Sequence, residues 1–157
     1  GAYVAYRALM ETLKHSLPQL RVLELGPYDF TEQQGVGGDL ALGMDLHRVL
    51  PDTYVTPNTS LITCDDLGDL PKADALLFEN IREIRRTHCG ASDHRLLIFR
   101  DSNGAFMVPY LAETFGYAYY DVNVPAAFEY MKRMVLEHKP DVVIEIRSSR
   151  WLRSPEG

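Results

Sequence analysis

The run Asp101-Ser102-Asn103-Gly104 directly follows an apolar segment, Arg95-Leu96-Leu97-Ile98-Phe99-Arg100. A serine at such a strand-to-helix turn places its hydroxyl at a sheet edge. The N–H groups of the helix's first turn lie close by, unpaired by the helix itself, and can stabilise a developing oxyanion. Half of an acyl-transfer site is therefore present in the residue order. The same residues also fit a plainer role, because Asp and Ser are both preferred helix caps. Residue type alone leaves nucleophile and cap open.

A nucleophilic serine needs a base, usually a histidine oriented by a carboxylate. His94 precedes Ser102 along the strand by eight positions, about 3.3 Å each, and so belongs to the opposite edge. His138 ends a helix at that same far edge. His15 closes the first helix, where the dipole mildly favours a cation. His47 and His88 have no assigned place. The expectation is that no histidine of this chain reaches Ser102.

A second cluster, Glu145-Ile146-Arg147-Ser148-Ser149-Arg150-Trp151, follows the last apolar run. In a parallel sheet it ends on the side of Ser102, so Arg147 or Arg150 can bind an anionic group or anchor a loop. The alternative is a solvated basic tail. Cys64 and Cys89 can form at most one disulfide, and neither has a Cys or His at zinc-site spacing. Two buried thiols or one structural disulfide both fit, and no metal or cofactor is called for.

The elements that must position these residues read most clearly after residue 95. Strands over Arg95–Arg100, Tyr117–Val122 and Asp141–Ile146 alternate with helices over Asn103–Phe115 and Ala126–His138. Gly116 and Pro140 punctuate the series. This order predicts adjacent parallel strands with Ser102 at their carboxyl edge, where open α/β sheets gather their ligands. Upstream, Tyr6, Leu9, Met10, Leu13 and Leu17 recur at helical spacing before Pro18. Arg21–Leu25 reads as a short strand, Phe30–Gly38 as a loop and Asp39–Leu50 as a short helix. Tyr54–Cys64 reads as extended and paired with Leu76–Ile84.

A length of 157 residues, with 46% hydrophobic and 24% charged, is that of one folded domain spanning 1–157. The net charge of −6 argues against nucleic acid as a partner. No apolar run approaches the roughly 20 residues of a membrane span, and no signal-peptide pattern opens the sequence.

The stretch Leu96 to Gly104, followed by Val108-Pro109-Tyr110-Leu111-Ala112-Glu113-Thr114-Phe115, resembles the SGNH-hydrolase-like domain of alginate-type polysaccharide O-acetyltransferases. Lys139-Pro140-Asp141-Val142-Val143-Ile144-Glu145, Arg150-Trp151-Leu152 and Gly38-Asp39-Leu40 are similar to further motifs of that family. The Gly1–Leu9 helix resembles the one that follows the family's Asp-Thr-His-Trp-Asn segment. The resemblance implies a flavodoxin-like α/β three-layer sandwich with a parallel sheet. It also implies Ser102 as nucleophile, Asp101 shaping the turn, and Ser102 and Asn103 N–H groups as oxyanion donors. Arg150 would organise the site or contact an anionic sugar. The implied base is an Asp-x-His pair just upstream of Gly1, so that the chain would be an N-terminally truncated domain and nearly inactive alone. The implied partners are a polysaccharide acceptor and an acetyl donor delivered by a membrane acyltransferase, without a cofactor. The implied location is the periplasm or cell envelope, where a Cys64–Cys89 disulfide is permissible. Arg100 stands where the family often has Gly or His, Asn103 where many members have an aromatic residue, and Ser149 where Glu usually precedes the final Arg. Acetyl esterase and non-catalytic polysaccharide-binding module are the rival readings.

Overall fold

The computed structural model describes residues 1–35, 44–46, 49, 52–58, 64–66, 85–89, 92–122 and 127–148. The expected helix at 39–50 lies largely outside these residues, and the expected strand at 76–84 lies wholly outside them. The chain divides into two compact units, residues 24–62 and the remainder. Together they are mixed α/β, with two sheets and three α-helices among the described residues.

The larger unit is built on β5 (Arg95–Arg100), β6 (Tyr117–Asp121) and β7 (Val142–Ile146). β5 lies between the other two and pairs with both in parallel, Leu97 opposite Tyr119 on one side and Val143 on the other. Adjacency and direction match the expectation. The sheet is nevertheless mixed: β4 (Arg85–His88) joins β6 antiparallel, and β3 (Asp65–Asp66) joins β4 antiparallel. The order is β3-β4-β6-β5-β7.

Leu96, Leu97, Ile98 and Phe99 are all at most 1% exposed, which makes β5 a strand covered on both faces. Leu97 and Phe99 pack with Met134, Tyr130, Met131 and Val135 of the helix Phe128–His138. By alternation Leu96, Ile98 and Arg100 point to the other face. That helix closes on Lys139 in the left-handed conformation, φ 45°, and Pro140 then prevents its continuation.

The segment after β5 is broken where one helix was expected. A 3-10 turn covers Asn103–Met107, and an α-helix covers only Val108–Ala112. Pro109 explains the break. It has no N–H to donate, and inside a continuous α-helix its ring would collide with the carbonyl four residues earlier, so it is tolerated only in a first turn. We number the α-helices α1 (Ala2–Lys14), α2 (Val108–Ala112) and α3 (Phe128–His138). At Gly116 an added Cβ would lie 1.7 Å from the Ser92 carbonyl oxygen, so only glycine fits the turn into β6.

α1 buries Tyr6 and Met10 completely and packs against the 3-10 turn and α2. Arg21–Leu25 forms no strand. Leu23 finds side-chain partners instead: its N–H donates to the Tyr6 hydroxyl at 2.7 Å, and its carbonyl accepts from Tyr3 at 3.3 Å. Tyr6 and Thr114 hydroxyls lie 2.6 Å apart, and Thr114 donates to the Tyr110 carbonyl at 3.1 Å. With the Thr114 proton committed there, the Tyr6 proton is the one shared with Thr114.

Residues 24–62 contain a two-stranded antiparallel ribbon, β1 (Phe30–Gly35) with β2 (Asp52–Pro57), Glu32 opposite Val55. The expected loop at 30–38 is thus a strand over its first six residues, and it pairs with β2. The partner expected for β2 at 76–84 lies outside the described residues. Among the described residues no helix is long and apolar enough to cross a membrane.

Candidate active site

The carboxyl end of β5 delivers the chain into Asp101 and Ser102. Asp101 N–H donates to the Ile146 carbonyl at 3.2 Å, extending the β5–β7 ladder by one bond. Its carboxylate then takes two backbone donors. Oδ1 accepts the Asn103 N–H at 2.9 Å, and Oδ2 accepts the Ser148 N–H at 2.6 Å. The first bond caps the 3-10 turn, and the second ties the segment after β7 to the end of β5. Burial alone would raise the Asp101 pKa. Hydrogen bonds from Ser148, Asn103 and Gly104 outweigh it and hold the carboxyl below its ordinary value.

Because Asp101 does the capping, Ser102 does not. Its backbone is in the helical region (φ −58°, ψ −33°), and its side chain makes no cap hydrogen bond. The carbonyl of Ser102 accepts the Ala105 N–H at 3.2 Å. Among the described residues its N–H and its hydroxyl have no hydrogen-bond partner, and the residue is partly exposed. A serine hydroxyl and its own amide therefore stand together, uncommitted, at the carboxyl edge of two parallel strand pairs.

Asn103 is exposed, and its N–H, expected as a second oxyanion donor, is engaged by Asp101. Arg147 pairs with Glu145, Nη2 to Oε2 at 2.7 Å. Arg150 lies outside the described residues, so the expectation placed on it has no geometry here.

The described histidines lie away from Ser102 or hold other partners. His94 is 3.8 Å from Asp141, which clamps the start of β5 by accepting the Arg95 N–H at 2.7 Å. His88 pairs with Tyr117, the first residue of β6, and thus also sits at the amino edge. The His138 ring lies against Tyr119, centroids 4.1 Å apart, and His15 Nδ1 bonds the Glu11 carbonyl at 2.9 Å. His47 lies outside the described residues. No described histidine is hydrogen-bonded to Ser102.

Cys64 and Cys89 form a disulfide. Glu113 lies beside it, 4% exposed, and its Oε1 accepts the Cys64 N–H at 2.7 Å. Three potential metal donors, Cys64, Cys89 and Glu113, fall within 4.8 Å of one another, but both sulfurs are spent in the disulfide.

One participant, Ser148, is not singled out by the sequence as part of the site, and one buried charge, Arg100, ends β5 beside it. Ser148 acts through its backbone, which leaves no trace in residue type. Arg100 is fully buried, which strand alternation after Leu96-Leu97-Ile98-Phe99 does signal.

Comparison with protein-family models and with curated protein sequences gives no match. Solved structures do match. A DHHW family protein from Eubacterium siraeum superposes with a TM-score of 0.58 at 18% identity, covering 92% of this chain and 54% of that one. Bacillus cereus PatB1 superposes with a TM-score of 0.63 at 14% identity, covering 98% of this chain and 60% of that one. PatB1 carrying a sulfonyl adduct gives 0.61 at 13%, with 94% and 56% covered. At such identities the likeness is one of fold. The chain spans 54–60% of the length of these neighbours.

Proposed function

We propose that this chain is an SGNH-type domain, a three-layer sandwich in which Ser102 is the acyl-accepting nucleophile of a polysaccharide O-acetyltransferase. The observation that carries the reading is the uncommitted Ser102 hydroxyl and amide beside an Asp101 that already caps the turn. The motif resemblance and the fold shared with PatB1 support it. Ser102 Oγ attacks the acetyl carbonyl carbon while a base takes its proton. The Ser102 N–H holds the oxyanion, and the donor's leaving group departs with that proton. A sugar hydroxyl then attacks the acetyl-serine, giving its own proton to the base, and Ser102 leaves and is reprotonated. Following the motif resemblance, we assign the base to an Asp-x-His segment outside this sequence; no described histidine is hydrogen-bonded to Ser102. The acetyl donor is supplied by a membrane acyltransferase, and the setting is the cell envelope. The Cys64–Cys89 disulfide supports an oxidising compartment. Asn103 and Arg150 serve the acceptor, through the exposed Asn103 side chain and through an anionic group on the sugar.

The test is hydrolysis of an activated acetyl ester by a form of the protein extended upstream of Gly1, with and without Ser102→Ala. Turnover should fall to background in the variant, because a methyl group can neither attack nor carry the acetyl group. Loss of the base alone removes about 10²–10⁴-fold, so the 157-residue chain should be slow but above background. Net transfer of acetyl to an added polysaccharide marks the transferase, and net acetate release marks an esterase. Undiminished turnover in Ser102→Ala contradicts the assignment.

A further inference from the structure

Arg100 is the largest fully buried side chain among the described residues, at 0% exposure. It points to the face of the sheet that carries the 3-10 turn. Gly104 lies directly on its stem: a Cβ added at Gly104 would stand 2.6 Å from Arg100 Cβ and 3.3 Å from its Cδ. The guanidinium turns toward the start of the turn, where Nη1 donates to the Asp101 carbonyl oxygen at 3.4 Å. The same oxygen accepts the Gly104 N–H at 3.2 Å.

That carbonyl and the Ser102 N–H are the two ends of one planar peptide unit. Holding the oxygen fixes the direction of the N–H at the other end. A cationic donor on the oxygen also draws electron density along the amide and makes the N–H a stronger donor.

We propose that Arg100 is a positioning residue for acyl transfer: with Gly104, it locks and polarises the Asp101–Ser102 peptide so that the Ser102 N–H stays aimed as the oxyanion donor. The proposal rests on the acyl-transfer reading above and adds to it the residue that keeps its donor in place. Arg100 acts through the peptide and does not touch substrate.

The experiment uses the 157-residue chain with Arg100→Met, which keeps the stem but removes charge and donor, and Arg100→Lys, which keeps the charge. Two quantities are read: the Ser102 amide ¹⁵N resonance and the rate of acylation by p-nitrophenyl acetate. In Arg100→Met the resonance should move upfield, as it does when a hydrogen bond to the preceding carbonyl is lost. The acylation rate should fall about 10-fold with KM little changed, less than the 10²–10³ of losing an oxyanion donor outright. Arg100→Lys should recover part of both. If Arg100→Met does not fold, Gly104→Ala, which pushes on the Arg100 stem, should produce the same pair of changes. A folded Arg100→Met with an unmoved Ser102 resonance and an unchanged acylation rate overturns the proposal. Acylation that Ser102→Ala leaves intact overturns the acyl-transfer reading instead, and the resonance alone then decides whether Arg100 holds the peptide.

Discussion

Asp101 shows how much of the site hangs on one carboxylate. It caps the turn through Asn103 and ties the end of β7 through Ser148. In Asp101→Asn one face of the side chain would present N–H donors to the Ser148 or Asn103 N–H, leaving a donor unpaired. Such a loss costs about 1–2 kcal/mol, or a fall of roughly 3–8 °C in melting temperature for a chain of this size. The sign of the pH dependence follows from the depressed pKa. The Asp101 contribution is fully present above the unfolded value of about 3.9 and is lost as pH falls through the lower folded value. Thermal melts should therefore separate wild type from Asp101→Asn at pH 7 and bring them together in strong acid. Equal melting temperatures at pH 7 would mean that the two hydrogen bonds contribute nothing net.

At the scale of elements, close approach decides what the turns tolerate. Gly116 begins its turn against the backbone of Ser92, where a side chain has no room. Gly116→Ala should destabilise the protein by about 3 kcal/mol, the upper end for overpacking, because the atom it meets is backbone and cannot rotate away. Chemical denaturation would read this as a lower midpoint with an unchanged slope. The elements legible in the sequence are those with unambiguous patterns. β5, β6 and β7 are short runs rich in apolar and aromatic residues and α3 is a helical stretch between Gly116 and Pro140, and their expected bounds differ from the observed ones by at most two residues. β1 was missed because Thr31-Glu32-Gln33-Gln34 is exposed throughout and offers no apolar alternation to read. Arg21–Leu25 misled in the opposite way. Its apolar residues suggested a strand, but the hydrogen-bond partners of Leu23 are tyrosine hydroxyls contributed by α1. The kink at Pro109 was present in the sequence, and the helix rules applied to it strictly would have divided Asn103–Phe115.

For the molecule as a whole, the Cys64–Cys89 bond closes a loop of 25 residues and joins the β3–β4 edge of the larger sheet to itself. A cross-link over a loop of that length stabilises by about 3 kcal/mol, chiefly by restricting the unfolded chain. Cys64→Ser with Cys89→Ser should lower the unfolding midpoint accordingly, and reductant should then have no further effect on the double variant. The site itself was legible in outline. Ser102 stands where strand order predicted, while the identity of the capping residue emerged only from hydrogen bonds that no residue pattern specifies. The central claim, that Ser102 is the reactive nucleophile, is tested most directly by treating the upstream-extended form used in the acetyl-ester test with a sulfonyl fluoride and locating the adduct by intact mass and peptide mapping. The account predicts a single adduct on Ser102 that is absent in Ser102→Ala. An adduct on another residue, retained in that variant, would contradict it.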